Sequence, residues 1–436
     1  MGNGNESHRS QRIFFGWYIV AIALLTNFMS VGTALYGLNA FMEPVCQLRN
    51  WTRTDVNMAL VLGTFSGYMA QCLYGWMINF VPLRRLMLFG GLTSGIAFAF
   101  LMNVPMLWQF HLLYVLLYIG NGAYGGIVAA TAVNNWFRRK RGRALGFATA
   151  GISLSGAILP LIFLALILRV DLNRAGIWIG VAIAATGILA WAVVRDWPES
   201  YGFGPDGESL VDFPYGGNQI SNPLNPVVSN WPFARLIRTA AFWKVGIAYA
   251  MIMCGAVGVM SQLKPRFSDI GFSDWNAMLL MAATAFCGAV GKAVWGILCD
   301  RFQPLRVAAA MAVVNAIGLV PSMFHNSWTA VFAFILIFGF AMGGAMSTYP
   351  VLISDLFGRL SFASVYRYMA LFLMLQMGGF LIAGQSFDRL GSYDTAYTIF
   401  LIMDVAAAVL LLRVSESDRL SLRQVKNESR NGIVMF

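Results

Sequence analysis

Residues 277–298 read AMLLMAATAFCGAVGKAVWGIL, an apolar run interrupted by one charge, Lys292. About 20 such residues, rising 1.5 Å each in a helix, cross the hydrocarbon core of a bilayer. The run therefore predicts a membrane-spanning helix with a cation near its middle. Such a charge costs about 2.5–3.5 kcal/mol on insertion scales, so a chain that keeps it has a use or a partner for it. Snorkelling does not remove the cost. The next charge along the helix, Asp300, is about 12 Å away at the helical rise.

The rest of the chain is of the same kind. Hydrophobic residues make up 58% of it and charged residues 11%, against about 25% charged in a soluble domain. A soluble surface cannot be covered with that supply. The net charge of +11 does not indicate nucleic acid, because the cations collect in short loops between apolar runs, where they orient a membrane protein.

Twelve spans are predicted. The first six lie near 14–38, 55–80, 86–104, 109–135, 144–168 and 175–194. The second six lie near 241–263, 275–299, 306–324, 328–354, 366–387 and 395–413. The fold class is all-α: two six-helix, pseudo-symmetric bundles in a membrane. Residues 1–195 form the N-terminal bundle and 241–413 the C-terminal bundle. A cytoplasmic linker at 196–240 is rich in Pro, Gly, Asn and Ser, and a basic tail covers 414–436. Few Lys and Arg residues (Arg49, Arg53, Arg169, Arg174, Lys264, Arg266 and Arg389) fall in loops on the side opposite the termini. Both termini are therefore expected in the cytoplasm, in an integral plasma (inner) membrane protein.

The halves repeat each other. Gly75 to Asn79, followed by Arg84 and Arg85, matches Gly296 to Asp300, followed by Arg301 and Arg306. Asn135-Trp136-Phe137-Arg138 matches Asp355-Leu356-Phe357-Gly358-Arg359. The offsets, Asn79 to Asp300 and Phe137 to Phe357, are 221 and 220 residues. A duplicated helical unit is a common architecture of secondary transporters, which bind substrate near the midplane between repeats.

The Gly-x-x-x-Asp-Arg loop at 296–301 and its degenerate copy resemble the signature of the major facilitator superfamily, over nearly the whole chain. Asn79 stands where that family has Asp, and Pro304 interrupts its Gly-Arg ending. A narrower resemblance, to the monocarboxylate transporters and oxalate–formate antiporters, rests on several motifs. These are Arg141-Gly142-Arg143-Ala144-Leu145-Gly146, Gly151, Gly156 and Pro160, then Phe242-Trp243, Lys264-Pro265, Asp269 to Ser273, and Gly291-Lys292 before Trp295-Gly296. This resemblance implies a carrier of small organic anions with a basic residue of span eight facing the central cavity. Lys292 stands where Arg is usual, Gly288 replaces an acid of proton-coupled members, and span eleven has Arg367 only at its mouth. One central cation suits one carboxylate better than two.

Around Lys292, the expected substrate contacts are Tyr36, Tyr124 and Tyr349, whose phenols need partners inside a bundle. The amides Asn121 and Gln376 join them, with Met346 (and Met342) as an adaptable wall. Within-span amides also bind helices together, at about 0.6 kcal/mol each. Asp300, Arg301 and Arg143 are expected to make charge contacts that gate one end. Asp404, an acid inside span twelve, is a candidate proton site, or a residue bonded to a neighbouring helix. The five cysteines have no metal-ligand spacing. No metal, cofactor or enzymatic constellation is expected.

The expected function is secondary active transport of a small organic anion, most simply a monocarboxylate, by a monomer. The proton is a candidate second cargo. Two alternatives stay open: an efflux pump for amphipathic compounds on the same fold, and an anion receptor that does not transport.

Overall fold

The computed structural model describes residues 14–208, 233–324 and 327–414. The middle of the expected linker and nearly all of the expected tail lie outside the described residues. Eleven helices among the described residues are long and apolar enough to cross a membrane. The twelfth, Arg53–Met77, is long enough but carries more polar residues.

In chain order the spans are α1 (Gly16–Tyr36, continuing as Gly37–Arg49), α2 (Arg53–Met77), α3 (Leu83–Leu101) and α4 (Leu107–Trp136). They continue with α5 (Arg141–Val170), α6 (Leu172–Val193), α7 (Ala240–Asp269) and α8 (Asp274–Arg301). The last four are α9 (Pro304–Met323), α10 (Trp328–Phe357), α11 (Arg359–Leu390) and α12 (Asp394–Leu412).

Local chemistry sets the ends. Thr52 and Asp55 form a reciprocal capping box at the start of α2. Ser273 caps α8 and Ser327 caps α10, each satisfying one otherwise orphan N–H. Gly391, in the left-handed region at φ 66°, stops α11. Pro160, Pro265 and Pro350 lie inside helices; neighbouring helices in a bundle re-satisfy the backbone groups that proline frees.

Three spans are irregular near their middles. α1 passes through a π-turn at Gly32–Tyr36. α4 breaks at Gly125, which is extended, followed by Gly126 at φ 48°. α11 tightens into a 3₁₀ turn at Leu373–Gln376. π-turns and broken helices concentrate at functional sites, and a transporter places them where they line a cavity.

Two of the seams between the halves are formed by α5 with α8 and by α2 with α11. On one, α5 lies against α8 so closely that a Cβ on Gly296 would sit 2.2 Å from the Gly142 carbonyl oxygen, and one on Gly146 would sit 2.5 Å from that of Lys292. Small residues permit this backbone approach. On the other, α2 meets α11: Cys72 Sγ donates to the Arg367 carbonyl at 3.4 Å, and the Gln376 amide donates to the Tyr68 hydroxyl.

Candidate functional site

Lys292 is buried, with 3% of its surface exposed. Its Nζ donates to Ser153 Oγ on α5 at 2.5 Å. The bond crosses from the C-terminal half to the N-terminal half, so the charge sits on the seam and not against lipid. An ammonium has three N–H donors. Among the described residues the partner recorded for it is a neutral hydroxyl, and no carboxylate pairs with it.

Several other groups gather here. A Cβ on Gly288, one turn before Lys292, would lie 3.3 Å from Ser153 Oγ and 3.4 Å from Met342 Cε. Gly288 is therefore the space in which the Ser153 hydroxyl and a methionine meet. Tyr36, at the end of the α1 π-turn, lies over Gly156, where a Cβ would be 2.9 Å from its Cζ. Ser153 and Gly156 are three residues apart, hence on one face of α5. Tyr36 and Lys292 thus address the same face of α5 from opposite halves. Met346 is half-buried one turn beyond Met342 on α10.

The remaining expected contacts are placed differently. Asn121 donates to the Ser30 carbonyl at 3.0 Å, while its Oδ1 is buried without a hydrogen bond. Tyr124 is fully enclosed at the α4 break, its hydroxyl beside Thr33. Both belong to the α1–α4 contact inside the N-terminal half. Tyr349 donates to the Met369 carbonyl at 2.7 Å and packs on Tyr249, with ring centroids 4.4 Å apart. Gln376 is engaged with Tyr68 on the second seam. The structure thus joins Lys292 to Tyr36 and a methionine wall, gives Asn121, Tyr349 and Gln376 protein partners of their own, and leaves the enclosed Tyr124 hydroxyl without a hydrogen bond among the described residues.

At the basic end, the end of the bundle where Arg138, Arg139, Lys140 and Arg301 lie, Asp300 closes the first seam. Its carboxylate accepts from the Gly142 N–H at 2.5 Å, the Arg143 N–H at 2.9 Å and Arg143 Nε at 3.3 Å. It therefore caps the N-terminus of α5 from the other half, where a negative charge is favoured. Arg301 is exposed beside it. Asp404, fully buried, accepts from Asn315 Nδ2 of α9 at 2.9 Å, and its Oδ1 has no hydrogen bond. Its polar partner is a neighbouring helix of its own half.

A sequence model of the Major Facilitator Superfamily matches residues 13–359 and 246–431. The chain belongs to this superfamily. It is 23% identical over 356 residues to the oxalate:formate antiporter of Oxalobacter formigenes, covering 81% of this chain and 80% of that one. It is 25% identical over 276 residues to human monocarboxylate transporter 10, covering 61% and 51%. The fold is similar to that of the proton:xylose symporter XylE, with a TM-score of 0.71, 13% identity and coverage of 92% and 95%. It is also similar to the human organic anion transporter MFSD10, with a TM-score of 0.68, 13% identity and coverage of 91% and 99%. The protein is a multi-pass membrane transporter of this superfamily, and not an enzyme.

Two features of this superfamily member were not singled out from sequence. Ser153 is one of two hydroxyls, with Thr149, on a stripe of small residues along α5 (Gly142, Gly146, Thr149, Ser153, Gly156). That periodicity was the available signal. Tyr68 carried none beyond being a phenol within a span.

Proposed function

We propose that the protein carries a small organic anion, most simply a monocarboxylate, by alternating access. The observation that supports this reading is the ammonium of Lys292, buried on the seam between halves with a neutral partner. A carboxylate arriving there supplies the counter-charge that Ser153 does not, and charge-assisted hydrogen bonds are roughly twice as strong as neutral ones. Tyr36 orients the anion from α1, and Met342 and Met346 face its carbon skeleton.

Residues 1–195 and 241–413 move as two bodies. Contacts between them run from Asp300 and Arg143 to Ser153 and Lys292, which supports a closed gate held by Asp300 and Arg143; Arg301, exposed beside them, makes no ion pair among the described residues. The basic end faces the cytoplasm, as do both termini, in a plasma (inner) membrane; the protein works as a monomer. Coupling is exchange, symport with a proton, or uniport according to what returns the empty carrier.

The test is counterflow in liposomes reconstituted with the full chain. Vesicles preloaded with formate, lactate or oxalate are expected to accumulate the labelled anion on dilution, saturably and with competition among carboxylates. A carrier that moves none of them but extrudes amphipathic cations is an efflux pump. One that binds carboxylates without counterflow is a receptor. Binding also shows as melting-temperature shifts, since ligand at 100 times its Kd adds about 2.7 kcal/mol to stability.

Asp404 gives a further expected outcome. Its carboxyl is bonded to Asn315, and Asp404→Asn keeps a hydrogen-bonding group of the same shape. Uptake measured from pH 5 to 8 is expected to keep its wild-type profile. A flattened profile would make Asp404 the proton carrier.

A further inference from the structure

The chain leaving α6 begins as a fixed structure. The Arg195 carbonyl accepts from Trp136 Nε1 at 2.8 Å. The Asp196 carbonyl accepts from Asn135 Nδ2 at 3.1 Å, and the Asp196 carboxylate from the Leu83 N–H at 3.0 Å. All of these anchors belong to the N-terminal half. Ten residues on, Asp206 returns to the same half. Its two carboxylate oxygens accept from three successive amides of the α4–α5 corner, Arg138 at 2.9 Å, Arg139 at 2.6 Å and Lys140 at 3.1 Å. Asp206 holds a left-handed conformation, φ 62°, which Asp tolerates better than most residues. Residues 195–208 are therefore a clip pinned at both ends to one half.

Between the pins, Glu199 reaches the other half. Its Oε1 lies 2.5 Å from Arg359 Nη2, and each side chain is 12% exposed. The Trp197 ring lies 5.1 Å from the Arg359 guanidinium carbon. Arg359 opens α11 at the α10–α11 corner, the repeat-related counterpart of the corner that Asp206 caps. Its carbonyl also accepts from Asn134 Nδ2 at 3.2 Å.

We propose that residues 195–208 are a gate latch, in which Glu199 grips Arg359 only while the basic end of the carrier is closed. A clip fixed to one half that binds the other through a buried ion pair biases the balance between open and closed gates, because the pair exists in one state only. An exposed pair would carry little such bias. Removing one member of a buried pair leaves an uncompensated charge in the closed state, while the open state hydrates it. The latch rests on the alternating-access reading but involves no substrate contact.

Cys299 reports the gate. It is 6% exposed, and its Cβ would lie 3.1 Å from a Cβ on Gly142 across the seam. Alkylation by N-ethylmaleimide, read at the Cys299 peptide in the full-length protein, measures how often the seam opens. Glu199→Gln and Arg359→Gln are each expected to speed it on the order of tenfold, within the usual range of couplings. The double variant is expected to go no further than the larger single effect, because both remove the same pair. Unchanged melting temperatures separate this from unfolding. Full additivity would overturn the latch. So would wild-type labelling of Glu199→Gln while a backbone wedge in the seam, Gly296→Ala, does speed Cys299; that pattern leaves alternating access standing. If neither responds, the alternating-access reading fails and the latch falls with it.

Discussion

Lys292→Ala is expected to abolish carboxylate counterflow while leaving the protein folded and inserted. Truncating one partner of a buried, hydrogen-bonded charge pair costs about 2–5 kcal/mol or more. At about 1.4 kcal/mol per decade, the lower part of that range is already a loss of roughly 30- to 100-fold. Lys292→Met is the sharper variant, because it stays close to the volume of the side chain while removing the ammonium, its charge and its N–H donors. A buried charge on a neutral partner is expensive to desolvate, and an apolar replacement of similar volume is often neutral or stabilising. Lys292→Met is therefore expected to melt at the wild-type temperature or above and to transport nothing. Lys292→Arg restores the charge but replaces a compact, rotatable ammonium with a planar fork, and that fork has to fit beside Ser153 and Gly288. Partial transport with altered preference among carboxylates is expected. Ser153→Ala removes a neutral acceptor only, so a smaller loss than Lys292→Ala is expected. Wild-type counterflow by Lys292→Met would remove the site.

Sequence legibility follows the range of the interactions involved. The spans, the duplication and Lys292 rest on hydropathy and on landmarks that recur along the chain, and no knowledge of partners is needed to see them. Asp300 was likewise visible because the signature loop at 296–301 contains it, and Arg143 because it stands in the separate Arg-Gly-Arg motif that opens α5. What the sequence left hidden is pairing at long separation. Ser153 meets Lys292 across 139 residues and Glu199 meets Arg359 across 160, and no periodicity links such positions. The phenols and amides show the other limit. Tyr36, Tyr124, Tyr349, Asn121 and Gln376 look alike in an apolar span, yet Tyr349 is bonded to the Met369 carbonyl and Gln376 to Tyr68, whereas Tyr36 lies on the face of α5 that carries Ser153. Helix irregularities were also illegible. The π-turn at Gly32–Tyr36 and the break at Gly125 leave hydropathy unchanged, because both lie within continuous apolar runs.

Gly296→Ala is expected to hold the basic end open. A single methyl at this position would lie 2.2 Å from the Gly142 carbonyl oxygen, 3.0 Å from its carbon and 3.1 Å from the Gly146 Cα. All three neighbours are backbone, so no side chain can rotate away, and α5 and α8 have to separate. Overpacking of this kind costs about 1–3 kcal/mol. Here the cost falls on the closed seam alone, since opening it removes the contact. Within each half the substitution is favourable, because Ala is a better helix residue than Gly by about 0.8–1.0 kcal/mol. A variant that folds at least as well but cannot close one end is therefore expected. The closed share should drop about 5- to 150-fold, the span that 1–3 kcal/mol gives. Counterflow should fall with it, because a carrier that cannot seal the basic end cannot present Lys292 to the opposite side. Cys299, one turn from the wedge, should alkylate faster by a comparable factor. Loss of counterflow with Cys299 still protected would mean that the methyl damages the site through Lys292 and not the gate. Normal counterflow would mean that the contact between Gly296 and Gly142 is not part of the cycle.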